Sequence, residues 1–326
     1  MNRRKFIKTG VGAALAAGIN PACRSPVSTA PQPVILATDI GDDIDDTWAL
    51  GFLLKCPELS LKLVATEYGK ANYRAKLVAK FLESTGHADV PIGVGPDKEP
   101  RGEGPIGEWV RDYNLNSYPG RIHSDGVGAM TETIMKSRQP ITVICIGPMP
   151  NVAAALEREP RIAQRARFVG MDGSIRLGYG GANAPCAEWN VKADPQAAKK
   201  GLSAPWDITI TPLDTCGLVY LDGDRYQRIV HSRDRVAAMI LENYEIWSKA
   251  SKTEAQAKTR SSVLFDTVAV YLAVSQNYCE MERLGVRVTN DGFTVIDPQT
   301  KRMNVATRWR DLDGFRDFLV NRLTGA

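Results

Sequence analysis

The segment Ile141-Thr142-Val143-Ile144-Cys145-Ile146 carries one hydroxyl and no charge, and it constrains the fold more than any other feature of the chain. Side chains of a strand alternate between two faces, so an apolar run this short and this uniform fits a strand covered on both sides. Further β-rich runs lie at 34–38, 61–67, 90–95, 167–171 and 207–211. Between them come helical patterns: one from about Asp45, one marked by Tyr73, Leu77, Val78, Phe81 and Leu82, one over 125–138 and one from Asn151. Asp194-Pro195 opens a short helix, with Asp as cap and Pro at the first position, and Gly201 closes it. This alternation predicts an α/β fold: an open, mainly parallel sheet with helices on both faces and a Rossmann-like core. The C-terminal third reads as mostly helical, over 233–252, 264–276 and 313–323, with a hairpin whose arms, 286–288 and 293–296, flank Asn290-Asp291-Gly292.

The first 33 residues read as separate from the fold. Arg3-Arg4-Lys5-Phe6-Ile7-Lys8 is a twin-arginine export pattern, followed by an apolar run over 10–19 and a Ser/Pro/Thr/Ala linker over 25–33. The run is too short to span a membrane, which takes roughly 20 apolar residues. Residues 1–33 are therefore expected to be a signal peptide and linker, and 34–326 one domain, periplasmic or secreted. Cys23, after Asn20-Pro21-Ala22, is a candidate lipid anchor. The six cysteines are widely spaced without a C-x-x-C pair, which argues against a zinc site and a dense disulfide framework. The net charge of +4 is partly contributed by the first eight residues, and the other basic residues are scattered without interleaved aromatics. Nucleic acid is not an expected partner.

Chemistry concentrates in Thr38-Asp39-Ile40-Gly41-Asp42-Asp43-Ile44-Asp45-Asp46, at the junction of the first strand and first helix. Carboxylates so close repel one another and raise each other's pKa unless a cation neutralises them. An EF-hand loop needs acids at alternate positions and Gly at the sixth; counted from Asp39, those places hold Gly41 and Ile44. A D-x-D phosphoryl-transfer motif after the strand would need an acid where Ala37 stands. A helix dipole accounts for one or two acids at an N-terminus, not for five. The cluster reads as a hard-cation site at a strand C-terminus, where open α/β sheets place ligands.

Asp39-Ile40-Gly41-Asp42-Asp43-Ile44-Asp45-Asp46 resembles the D-x-G-x-D-x-D-D loop of the inosine-uridine preferring nucleoside hydrolase family, Ca-dependent N-ribohydrolases. Three later segments are similar to that family in the same order: Ile146-Gly147-Pro148-Met149-Pro150-Asn151, Glu188-Trp189-Asn190 with Asp194-Pro195, and Leu264-Phe265-Asp266-Thr267. The resemblance covers residue 34 to the C-terminus. It implies hydrolysis of the N-glycosidic bond of ribonucleosides to ribose and free base, with Ca²⁺ as cofactor. It assigns Asp39, Asp46, Asp266 and the Ile146 carbonyl to the metal, with Asp43 as a further metal candidate. A calcium-bound water would give up its proton to Asp39 as it attacks the anomeric carbon, through an oxocarbenium-like state. Asp45, Glu188, Asn190 and Asn183 would hold the ribose. The loop leaves Asp43 and Asp45 both open as ribose ligand, with Asp45 preferred for its place beside Asp46. A homodimer or homotetramer is also implied, with no interface identified.

Two departures bear on the substrate. Many family members carry His immediately before the late metal Asp, placed to protonate the base, and here Phe265 stands there. Phenylalanine stacks on a heterocycle but donates no proton, so help must come from stacking by Phe265, Trp189 or Trp247, or from a proton on His123. Where relatives have Asn after the second strand, this chain has Lys70, and Asn72 two residues on. Two other readings remain open: a hydrolase of a non-nucleoside ribosyl compound, and a Ca-dependent ribosyl-ligand binding protein without turnover.

Overall fold

In the computed structural model, which describes residues 30–96 and 102–325, ten strands form one sheet. They are β1 (Gln32–Thr38), β2 (Leu59–Thr66), β3 (Ile92–Gly93), β4 (Ile122–His123), β5 (Ile141–Cys145), β6 (Ala166–Met171), β7 (Ile208–Thr211), β8 (Cys279–Val288), β9 (Thr294–Ile296) and β10 (Arg302–Trp309). Their order is β4-β3-β2-β1-β5-β6-β7-β10-β8-β9. From β4 to β10 all neighbours are parallel; β8 joins β10 antiparallel, and β9 joins β8 antiparallel. The twin-arginine segment, the linker up to residue 29 and Cys23 lie outside the described residues.

Two apolar cores sandwich the sheet. Val34 and Leu36 of β1 and Ile144 of β5 enter one; Ile35, Ala37, Val143 and Cys145 enter the other. Burial on both faces is what the uniform β5 sequence requires. Helices Asp45–Leu54 and Ala71–Ser84 pack on the first face, and Gly126–Lys136 and Pro150–Arg158 on the second. No helix among the described residues is long and apolar enough to cross a membrane.

The C-terminal third carries the expected helices, Arg235–Ala250, Thr267–Val274 and Leu312–Thr324, and two more, Gly223–Val230 and the short Glu254–Ala257. It also carries sheet that the sequence reading lacks. β8 extends well beyond the expected hairpin arm, and β10 was not anticipated. In β10 (Arg-Met-Asn-Val-Ala-Thr-Arg-Trp) polar residues alternate with apolar ones and arginines stand near both ends. Its interior character comes from insertion between β7 and β8, a contact that local sequence does not encode.

Candidate active site

Chain order reverses direction at β1. The strands β2, β3 and β4 run outward on one side of it, and β5 opens the other side. The crevice at the C-terminal ends of β1 and β5 is therefore a topological switch point, the usual ligand site of an open α/β sheet. The acidic loop leaves β1 there, and Ile146-Gly147 leaves β5 opposite it. A Cβ on Gly147 would lie 2.9 Å from both Asp39 Oδ1 and Glu67 Oε1, so only glycine lets these two acids approach the β5 backbone.

The loop is held from behind. Arg74, 1% exposed, donates to the carbonyls of Asp39 and Ile40, to Tyr68 O at 3.0 Å and Gly69 O at 3.0 Å, and to Asp42 Oδ2 at 2.8 Å. Tyr73 donates to Gly41 O at 2.9 Å, and the Trp247 indole to Asp42 O at 3.1 Å. Lys70 pairs with Asp42 at 2.5 Å. Gly41 has φ +110°, and a Cβ there would meet Leu77 Cδ1 at 2.4 Å. Burial beneath the loop thus sets both its glycine and its turn.

Asp45 and Asp46 open the helix Asp45–Leu54, and Asp266 immediately precedes the buried helix Thr267–Val274. Each of the three offers a carboxylate oxygen within 4.8 Å of the other two, and all are buried. Burial first, and then the charge of neighbouring aspartates, holds all three carboxyls well above the ordinary range. Asp45 and Asp266 share a hydrogen bond, and Asp46 accepts from the Thr38 hydroxyl. Asp39 lines the same cavity outside this trio; burial pushes it up to about 6, against the pull of the Arg74 guanidinium. No Lys, Arg or His is among the described residues lining the cavity. A small pocket with this much uncompensated acid fits a hard cation.

The cavity, ≈ 110 Å³, is completed by Glu188, Asn190, the Ile146 and Met171 backbone region and an aromatic rim of Tyr179, Trp189 and Phe265. Glu188 caps the helix Trp189–Ala193, accepting from Asn190 N at 2.7 Å, Gly173 N at 2.9 Å and Val191 N at 3.3 Å. Burial pushes its carboxyl up to about 7 despite these donors. The Asn190 amide donates to Ile146 O at 3.2 Å and Met171 O at 3.0 Å, which orients its carboxamide and the Ile146 carbonyl together.

The structure thus brings Asp39, Asp43, Asp45, Asp46, Ile146, Glu188, Asn190, Phe265 and Asp266 around one cavity. Asp43 is at its exposed edge, accepting from Ile44 N at 2.7 Å. Of the residues singled out in the sequence, Trp247 and Lys70, which both bond to Asp42, and Asn72, Asn183 and His123 are not part of that lining. Asn72 is exposed on the helix Ala71–Ser84, Asn183 is exposed in the loop before Glu188, and His123 ends the edge strand β4, beyond β2 and β3. Sequence reasoning missed Arg74 and Tyr179. Arg74 had a signal, being the one charge in the apolar stripe Arg74, Leu77, Val78, Phe81. Tyr179, in a glycine-rich loop, had none.

A profile of the family described as inosine-uridine preferring nucleoside hydrolase matches residues 34–317. The pyrimidine-specific ribonucleoside hydrolase RihA of Citrobacter koseri is 26% identical over 309 residues, covering 89% of this chain and 97% of that protein. RihA of Salmonella agona is 27% identical over 309 residues, covering 89% and 98%. Among solved structures, the plant nucleoside hydrolase PpNRh1 has a TM-score of 0.76 at 22% identity, covering 91% of this chain and 100% of that one. The purine-preferring ribonucleoside hydrolase from Gardnerella vaginalis has a TM-score of 0.73 at 22% identity, covering 90% and 98%. The fold is theirs, the profile spans nearly the whole described domain, and the chain belongs to the inosine-uridine preferring nucleoside hydrolase family, hydrolases of N-glycosidic bonds.

Proposed function

We propose that this protein hydrolyses the N-glycosidic bond of a ribonucleoside to ribose and free base, with Asp39 as general base and Ca²⁺ as its cation. The observation that carries the reading is the buried trio Asp45, Asp46 and Asp266 in one cavity with Asp39, Glu188 and Asn190, with no basic side chain among the described residues that line it. Asp46, Asp266 and the Ile146 carbonyl are the proposed protein ligands. Asp45 lies within the same trio, so it serves the cation as well as the sugar, which favours it over the exposed Asp43 for the inner position. When bound, the cation offsets the carboxylate charge and acidifies a water. Asp39 takes the proton as the water's oxygen bonds to the anomeric carbon. Glu188 and Asn190 face the same space and hold the ribose hydroxyls, which fixes the sugar against the water and saves the entropy of bringing them together.

The names of the relatives divide between pyrimidine and purine preference, so the proposal stops at the ribonucleoside class. Export by the twin-arginine route is proposed from Arg3-Arg4 and the apolar run that follows; fractionation of the native cell with antibody detection tests it. For the activity, the test is free ribose released from a panel of purine and pyrimidine nucleosides, with Ca²⁺ present. Release from at least one is expected. A blank across the panel, with Ca²⁺ still binding, overturns the reading and favours a ribosyl-ligand binding protein or a non-nucleoside substrate.

A further inference from the structure

We propose that Tyr179 gives the departing aglycone its proton, an inference that rests on the hydrolytic reading above. When the C–N bond breaks, its electron pair goes to the base, and the base leaves only as fast as that charge is met. The floor of the cavity is poorly placed to do this. Asp45, Asp46 and Asp266 form the cation trio, Asp39 receives a proton, and Glu188 accepts three backbone N–H groups. The Asn190 amide is committed to two carbonyls. At the rim, the Trp189 indole can donate a hydrogen bond but does not act as an acid.

The Tyr179 hydroxyl is different. Its one hydrogen bond among the described residues is one it accepts, from Trp189 N at 2.9 Å, so its own hydrogen remains to donate. Its ring stands edge-on to Phe265, with centroids 6.0 Å apart and planes at 82°, next in sequence to Asp266. The phenol therefore bridges the Phe265 wall and the start of the helix that follows Glu188. Tyr179 is 46% exposed and Glu188 1%, so Tyr179 belongs to the rim of the cavity and Glu188 to its floor; a sugar held by Glu188 would direct its aglycone toward that rim. A phenol needs no shift to be protonated at neutral pH, since an ordinary tyrosine titrates near about 10.

The step balances. Water oxygen bonds to the anomeric carbon and its proton passes to Asp39. The C–N pair collapses onto the base, and the Tyr179 proton follows to the base. Solvent then reprotonates the phenolate, and Asp39 returns its proton to solvent.

The test is Tyr179→Phe in the full chain with saturating Ca²⁺, assayed on nucleosides and on 4-nitrophenyl β-D-riboside, whose leaving group needs no proton. The variant is expected to lose about 100-fold or more in kcat on nucleosides and to stay within about threefold of wild type on the nitrophenyl riboside. Equal losses on both substrates would indicate a structural or binding role and overturn the proposal; no loss on either would do the same. A wild type that cleaves only the nitrophenyl riboside also overturns it, because no aglycone acid would then be at work. A wild type inert on both removes the hydrolytic reading itself and this proposal with it.

Discussion

Arg74 and Asp42 meet at 2.8 Å across the acidic loop, the arginine buried beneath it and the carboxylate half-exposed at its surface. The same guanidinium spans four backbone carbonyls, from Asp39 to Gly69, so one side chain ties the end of β1 to the turn after β2. We expect Arg74→Ala to cost about 3 kcal/mol, because it leaves buried carbonyls and a carboxylate unpaired. Arg74→Lys should recover only part of this, since an ammonium lacks the planar fork. Urea unfolding of the three proteins measures it; equal midpoints for Ala and wild type would contradict the bracing role.

Gly41 makes a sharper demand. With φ +110° and a Cβ position 2.4 Å from Leu77 Cδ1 and 2.7 Å from Tyr73 Cε1, Gly41→Ala adds backbone strain to a clash. A loss of roughly 2 kcal/mol or more is expected. It should appear in thermal melts together with weaker Ca²⁺ binding, since the displaced loop carries Asp45 and Asp46.

Asp39→Ala should abolish ribose release while the melting temperature stays within a few degrees of wild type. Removing a base of this kind costs about 100-fold to 10,000-fold. Deletion also relieves like-charge crowding around Asp46, and this is why the fold should survive. Turnover at the wild-type rate in this variant would remove Asp39 from the mechanism.

Chelation should stop activity and Ca²⁺ should restore it. The carboxyls of Asp45, Asp46 and Asp266 are raised by burial and by their neighbours' charge, so the cation-free protein is a strained acid cluster. Binding to the folded state alone also adds stability by mass action. Differential scanning calorimetry with and without Ca²⁺ should show an upward shift; activity that ignores a strong chelator would count against the cation.

Glu188 and Glu67 add to the raised aspartates Asp39, Asp45, Asp46 and Asp266 in setting a pH dependence for the cation-free protein, all in the same direction. Burial raises Glu188 and Glu67 to about 7 and about 8, against roughly 4.3 in the unfolded chain. Between those values the folded state binds more protons than the unfolded one, so stability falls as pH rises. Their contribution is whole below about pH 4 and is lost as pH climbs through 7 to 8. Unfolding midpoints of chelated protein should be lower at pH 8.5 than at pH 6, and the reverse order would refute the assignment.

The uniform apolar β5 and the alternation around it determined, by composition alone, that the chain builds a parallel sheet buried on both faces. The spacing of acids in the 39–46 loop determined that an acidic cluster able to hold a cation would stand at the end of β1, and the later Asp266 and Glu188-Trp189-Asn190 segments were legible through their resemblance to the family. The tertiary structure decided what depends on distant partners. It inserted β10 between β7 and β8, where hydrogen bonds to both neighbours outweigh a polar, weakly patterned sequence. It drew Asp45 into the trio with Asp46 and Asp266, left Asn72, Asn183 and His123 off the cavity, brought Tyr179 to its rim and set Arg74 beneath the acidic loop. The physical reason is the same in each case: side-chain period and turn chemistry act over a few residues, whereas desolvation and charge pairing depend on which strands the topology sets side by side.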